Sequence, residues 1–228
     1  MTFVDIIALQ LFTLAFIAIL LFYAGISAYW AYLKRGFREA YRQMRASAVV
    51  LAMLGVAVLV IGFWGDLTWP ISTIVNGANV LGAYDILFYD PYLMLGVVLL
   101  GFSTSVLLRL NTRYAGLLAL MIGALSIYYG VNAYGLGLTK EPMVMLLLYV
   151  AFGITGIFSF PFTLLIDRII MEPLQGGTAS KLTQKLVTLP WKFALASFVI
   201  FLLFSAISAI LAIAIGGGAL APHLANPP

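Results

Sequence analysis

The chain has 228 residues, of which 64% are apolar or aromatic and only 9% are charged, with a mean hydropathy of +1.10. A soluble domain carries about 25% charged residues, and a globule of this size cannot hide so much apolar surface from water, so a soluble enzyme, a nucleic-acid module and a disordered chain are excluded. The net charge of +4 is too small for a DNA-binding surface, and the lack of Cys removes disulfides, thiolate metal sites and cysteine nucleophiles.

Six apolar stretches follow in chain order: Ile6–Leu33, Ala46–Trp64, Tyr92–Leu108, Tyr114–Ala133, Met143–Ile166 and Lys192–Gly216. Each suits a span of roughly 20 residues, and inside lipid the backbone must satisfy its own hydrogen bonds, which dictates helices. The expected fold is all-α, a polytopic bundle of six transmembrane helices in a single integral membrane domain over residues 1–228. The first stretch has no basic segment before it and is longer than the apolar core of a signal peptide, so a retained helix is expected. An external loop is expected over about 65–90. Asp90-Pro91 reads as the N-cap and first residue of span three. Pro161 alone falls within a span and should kink it. An internal loop is expected over about 167–190, with an interfacial helix at Ser180–Leu189. The two halves show no convincing internal repeat.

Direction follows from Lys and Arg. With six crossings, Lys34, Arg35, Arg38, Arg42, Arg45, Arg109, Arg113, Arg168, Lys181, Lys185 and Lys192 share one side, leaving only Lys140 on the other. The positive-inside rule places both termini outside the cytoplasm. Trp30, Trp64, Trp69 and Trp191 fall at the span ends, where indoles favour the membrane interface.

Two groups of residues carry candidate chemistry. Arg35, Arg38, Arg42 and Arg45, with Lys34, form one stripe if span one continues as a helix; this is a contact for anionic lipid headgroups on the cytoplasmic side or for a partner, as well as a topology signal. Asp66, Asp85 and Asp90 lie in the external segment and are candidate oxygen ligands for Ca²⁺ or a similar ion. The glycine spacing around Asp66 and the boundary position of the aspartates do not fit an intramembrane aspartyl protease. The single histidine, His223, removes bis-histidine haem and Ser-His-Asp chemistry. No other cofactor is expected. Mid-span polar residues are mild (Ser103, Thr104, Ser105, Ser126, Thr155, Ser159, Ser205, Ser208) and, with Gly96, Gly101, Gly123, Gly153 and Gly156, suit close helix packing.

The segment Gly82-Ala83-Tyr84-Asp85-Ile86-Leu87-Phe88-Tyr89-Asp90-Pro91-Tyr92, with Trp69-Pro70 before it and Tyr134–Lys140 after it, resembles the uncharacterised, largely archaeal polytopic membrane proteins grouped as domain of unknown function 981. Asp85 stands where that pattern expects asparagine. The resemblance implies a multi-pass membrane protein of archaeal type and supplies no activity. The expected role is a non-catalytic subunit or scaffold in the cell membrane, in contact with the bilayer, with other membrane subunits or with itself, and not with nucleic acid. The alternative is a small-solute or cation permease with the outer aspartates at its mouth.

Overall fold

The computed structural model describes residues 6–68, 74–75, 78–79, 83–139, 141–174 and 190–225. Its long elements are α1 (Ile6–Arg35), α2 (Phe37–Thr68), α3 (Ala83–Leu107), α4 (Arg113–Gly135), α5 (Pro142–Ile166) and α6 (Trp191–Ala225). Among the described residues these six helices are long and apolar enough to cross a membrane. Their outer surface is apolar, with Phe16, Met53 and Ile210 exposed by 59%, 70% and 67%. Water would penalise that surface; lipid does not.

Each helix packs on its neighbours in sequence, and α6 closes back on α1. The result is a ring of six helices in chain order. Two core clusters mark its ends. One joins Leu11 of α1, Leu87 of α3, Ala133 of α4, Tyr149 of α5 and Ala212 of α6. The other joins Ala28 of α1, Met44 of α2, Val106 of α3 and Ile166 of α5. The helices therefore alternate in direction, and each turn returns the chain to the opposite end.

The turns are short and chemically defined. Gly36, at φ +80°, separates α1 from α2 with a single residue. The end of α4 is closed at Gly137 (φ +60°), with Gly137 N–H donating to Tyr134 O and Leu138 N–H to Ala133 O, a Schellman pattern. The end of α3 closes in the same way, but Arg109 occupies the left-handed position at φ +58°, and Leu110 N–H donates to Ser105 O. The Tyr41 hydroxyl adds a bond to Val106 O at 3.1 Å, so this carbonyl at the end of α3 accepts from both Arg109 N–H and α2.

Glycine sets two of the seams. On α4, Gly116, Gly123 and Gly130 lie seven residues apart, facing Thr163, Gly156 and Tyr149 of α5. A Cβ at Gly123 would stand 2.5 Å from Gly153 O, and one at Gly130 would stand 2.5 Å from Tyr149 Cβ, so backbone packs directly on the neighbouring helix. On α2, Gly62 and Gly65 face Leu93 and Tyr89 of α3 in the same manner. Gly101 is different. A Cβ there meets only Ala115, at 3.9 Å, and α3–α4 is the least extensive seam of the ring.

Several boundaries differ from the sequence expectation. Helix α2 runs on to Thr68 and α3 starts at Ala83, so both ends of the expected external loop are helical, and between them lies a minimal antiparallel pairing of Ile74–Val75 with Ala78–Asn79. Asp90 is therefore not an N-cap, and Pro91 lies inside α3. The break at Gly36 puts Arg35 on α1, while Arg38, Arg42 and Arg45 continue along α2, so the basic stripe is divided between two helices. The expected interfacial helix at Ser180–Leu189, together with Asp5, Trp69, Lys140, Lys181 and Lys185, lies outside the described residues.

Candidate functional site

The interior proline of α3 organises one end of the bundle. Pro91 has no N–H, so the carbonyl of Leu87, four residues earlier, loses its helical donor. An orphaned carbonyl in an apolar interior costs as much as a lost hydrogen bond. The hydroxyl of Tyr149, buried on α5, donates to that oxygen. A gap in one helix is thereby closed by a side chain from another.

The register of α2 on α3 then gathers the carboxylates. Gly65 lets the ring of Tyr89 lie directly on the α2 backbone, and Asp66 comes close enough to Asp90 for the two carboxyl groups to act on each other electrostatically. The other side of Asp90 is held by Tyr129 of α4, whose hydroxyl donates to Oδ2 at 2.6 Å. Asp85 is 1% exposed and acts electrostatically on both Asp66 and Tyr89. The Tyr89 hydroxyl is fully buried and has no hydrogen-bond partner among the described residues. Asp66, Asp85 and Asp90 are thus neighbours in space. Even so, among the described residues no group of three or more carboxylates and imidazoles is arranged to hold a metal ion.

Beneath this cluster lies a cavity of about 160 Å³, bordered by side chains of α1, α3, α4, α5 and α6. Its wall is mostly aliphatic and aromatic. Gln10 of α1 borders it, is 2% exposed, and has neither amide atom hydrogen-bonded among the described residues. A second cavity of about 50 Å³ lies on the other side of Leu21, Phe102, Phe162 and Phe201, which border both. Phe162 stacks on Phe201 and Phe198, with ring centroids 4.8 and 5.0 Å apart, and closes the axis between them. Ser103, fully buried, borders neither cavity. Three hydroxyls turn back on their own helices, Thr155 to Ala151 O, Ser159 to Thr155 O and Ser205 to Phe201 O, whereas Ser126 donates across to Tyr149 O of α5 and the buried Ser208 hydroxyl has no partner among the described residues.

The opposite end is basic. Lys34, Arg35, Arg38, Arg42 and Arg45 are all exposed. Lys34 lies over the Trp30 ring at 4.4 Å, and Arg42 pairs with Glu39 at 3.1 Å. Asp167, at the end of α5, where the helix passes through a π-helical stretch (Asp167–Met171) into a last turn (Glu172–Leu174), is the residue of greatest consequence there. Its carboxylate accepts Thr112 N–H at 2.6 Å, Thr112 Oγ1 at 2.9 Å, Arg113 N–H at 3.0 Å and Arg113 Nε at 3.2 Å. These are the first amides of α4, so α5 caps α4 with a negative charge at its positive end.

Sequence reasoning grouped the three aspartates and the basic residues. It passed over Gln10, Tyr149 and Asp167. Gln10 had a readable signal, an amide isolated in an apolar span. Tyr149 and Asp167 had none, because their partners lie 62 and 55 residues away.

The family model described as "Protein of unknown function (DUF981)" matches residues 1–226. The chain belongs to that family. The resemblance carried by the Gly82–Tyr92 segment thus extends over almost the whole chain, and the match is to a family with no assigned activity. No curated protein and no solved structure matches the chain. This family member is a multi-pass membrane protein, with six helices among the described residues long and apolar enough to span.

Proposed function

We propose that the protein is a non-catalytic subunit or scaffold of a membrane assembly. The observation that carries this reading is where the buried polar groups go. Asp167 caps α4, Tyr149 completes α3 and Tyr41 closes the end of α3, so each holds a helix in place. In this reading the interaction surface is the exposed basic end. The exposed Arg38, Arg42 and Arg45 of α2, with Lys34 and Arg35 of α1, offer a face to anionic headgroups on the cytoplasmic side or to an acidic partner subunit, at about 1 kcal/mol per basic residue near such a surface. The setting is the cell membrane, with both termini outside. Native mass measurement in mild detergent tests the assembly: a stable complex heavier than the 24.8 kDa chain is expected, and a chain that always runs alone overturns it.

A permease is the second reading, favoured by Asp66, Asp85 and Asp90 gathering at the cavity end that Gln10 borders. In that reading the three aspartates receive a cation. Ca²⁺ or Mg²⁺ would then raise the melting temperature, and Asp66→Asn or Asp90→Asn would change flux in proteoliposomes while leaving the fold intact. The apolar wall of the cavity, from which Ser103 is absent, favours the first reading.

A further inference from the structure

We infer that the cavity beside Gln10 is a binding site for a small, uncharged, lipid-soluble molecule with an aromatic or alicyclic body and one hydroxyl or amide group. Size is the first argument. At about 160 Å³ the space matches the roughly 150 Å³ apolar cavities that hold a benzene-sized guest. Charge is the second. No Asp, Glu, Lys, Arg or His borders the cavity, so an ionic guest would lie there without a counter-charge.

The third argument is the unpaired amide. A buried polar group normally has a partner, and one without is costly. Both Gln10 amide atoms lack one among the described residues, although the side chain is 2% exposed. An amide offers two donors and an acceptor together, which a hydroxyl or a second amide complements. Water fits less of the wall. Ser126, Thr155, Ser159 and Thr163 already give their protons to backbone carbonyls, so the open polar groups among the described residues are Gln10 and the buried Tyr92 hydroxyl, and the remainder of the lining is apolar. The guest the wall selects is therefore apolar over most of its surface and polar at one point. This inference stands whether the protein is a subunit or a permease.

The test uses the full chain in nanodiscs with two fluorinated probes, 4-fluorobenzyl alcohol and fluorobenzene, followed by fluorine NMR. Saturable binding of the alcohol is expected. Gln10→Leu should weaken the alcohol roughly tenfold, the loss of one buried hydrogen bond, and leave fluorobenzene at least as well bound. Ala119→Leu, which extends a cavity-wall side chain into the space, should abolish saturable binding of both. If that variant fails to fold, Ile122→Phe at the same wall replaces it. Three results overturn the inference: no saturable binding, an undiminished signal in the filled-cavity variant, or an alcohol affinity that Gln10→Leu leaves unchanged.

Discussion

Asp167 concentrates more polar contacts than any other buried side chain described above, and it sits at the joint between two helices. Its removal exposes the consequence. Asp167→Ala leaves the Thr112 and Arg113 amides and a 15%-exposed guanidinium without their acceptor. The expected loss is about 2–4 kcal/mol, read as a lower melting temperature in detergent. Asp167→Asn keeps an acceptor oxygen but no charge, and should cost less. Glu172, 3.7 Å from Arg113 Nη2, offers only a partial substitute at that distance. The Arg109 position is a second residue-scale feature. At φ +58° a non-glycine residue is disfavoured, so Arg109→Gly should be neutral or mildly stabilising in the same melting assay.

At the scale of elements, the pairing of Pro91 with Tyr149 predicts a coupling. Tyr149→Phe orphans the Leu87 carbonyl and should cost about 1–3 kcal/mol. In a Pro91→Ala background the restored backbone amide at position 91 satisfies that carbonyl within α3, and the same Tyr149→Phe change should cost much less. A double-mutant melting cycle checks this, and strict additivity would refute it. The seams predict a contrast between glycines. Gly123→Ala forces a Cβ against α5 backbone at 2.5 Å and should destabilise by about 1–3 kcal/mol, whereas Gly101→Ala has 3.9 Å to its nearest neighbour and should be tolerated.

For the whole molecule, the alternation of helices brings every described Lys and Arg to one end of the ring and Asp66, Asp85, Asp90 and Glu141 to the other. The positive-inside rule then predicts direction. Because the chain has no Cys, single-cysteine labelling has no background. Glu141→Cys should react with a membrane-impermeant thiol reagent on intact cells, and Arg38→Cys should react only after permeabilisation. The reverse pattern would overturn the orientation.

How much of this was legible beforehand depended on the range of the physics. Apolar length and charge asymmetry are local, additive properties, so six helices and their alternation could be read directly from the chain. Helix ends were read less well. The Asp90-Pro91 pair has the composition of a helix start, yet α3 begins at Ala83, because a hydroxyl from α5 removes the penalty that would have made Pro91 a boundary. The glycines of α4, seven residues apart, carried a seam that was readable but read only at Gly123.

The sequence by itself determined that this protein lies in a membrane, how often it crosses and which ends carry charge, since lipid imposes those terms residue by residue. Only the tertiary structure decided what the polar residues do. Asp66 meets Asp90 through the register of two helices, Asp167 caps a helix 55 residues distant in the chain, and Gln10 is left unpaired beside a cavity. Hydrogen bonds act over about 3 Å in space, and distance along the chain does not report that.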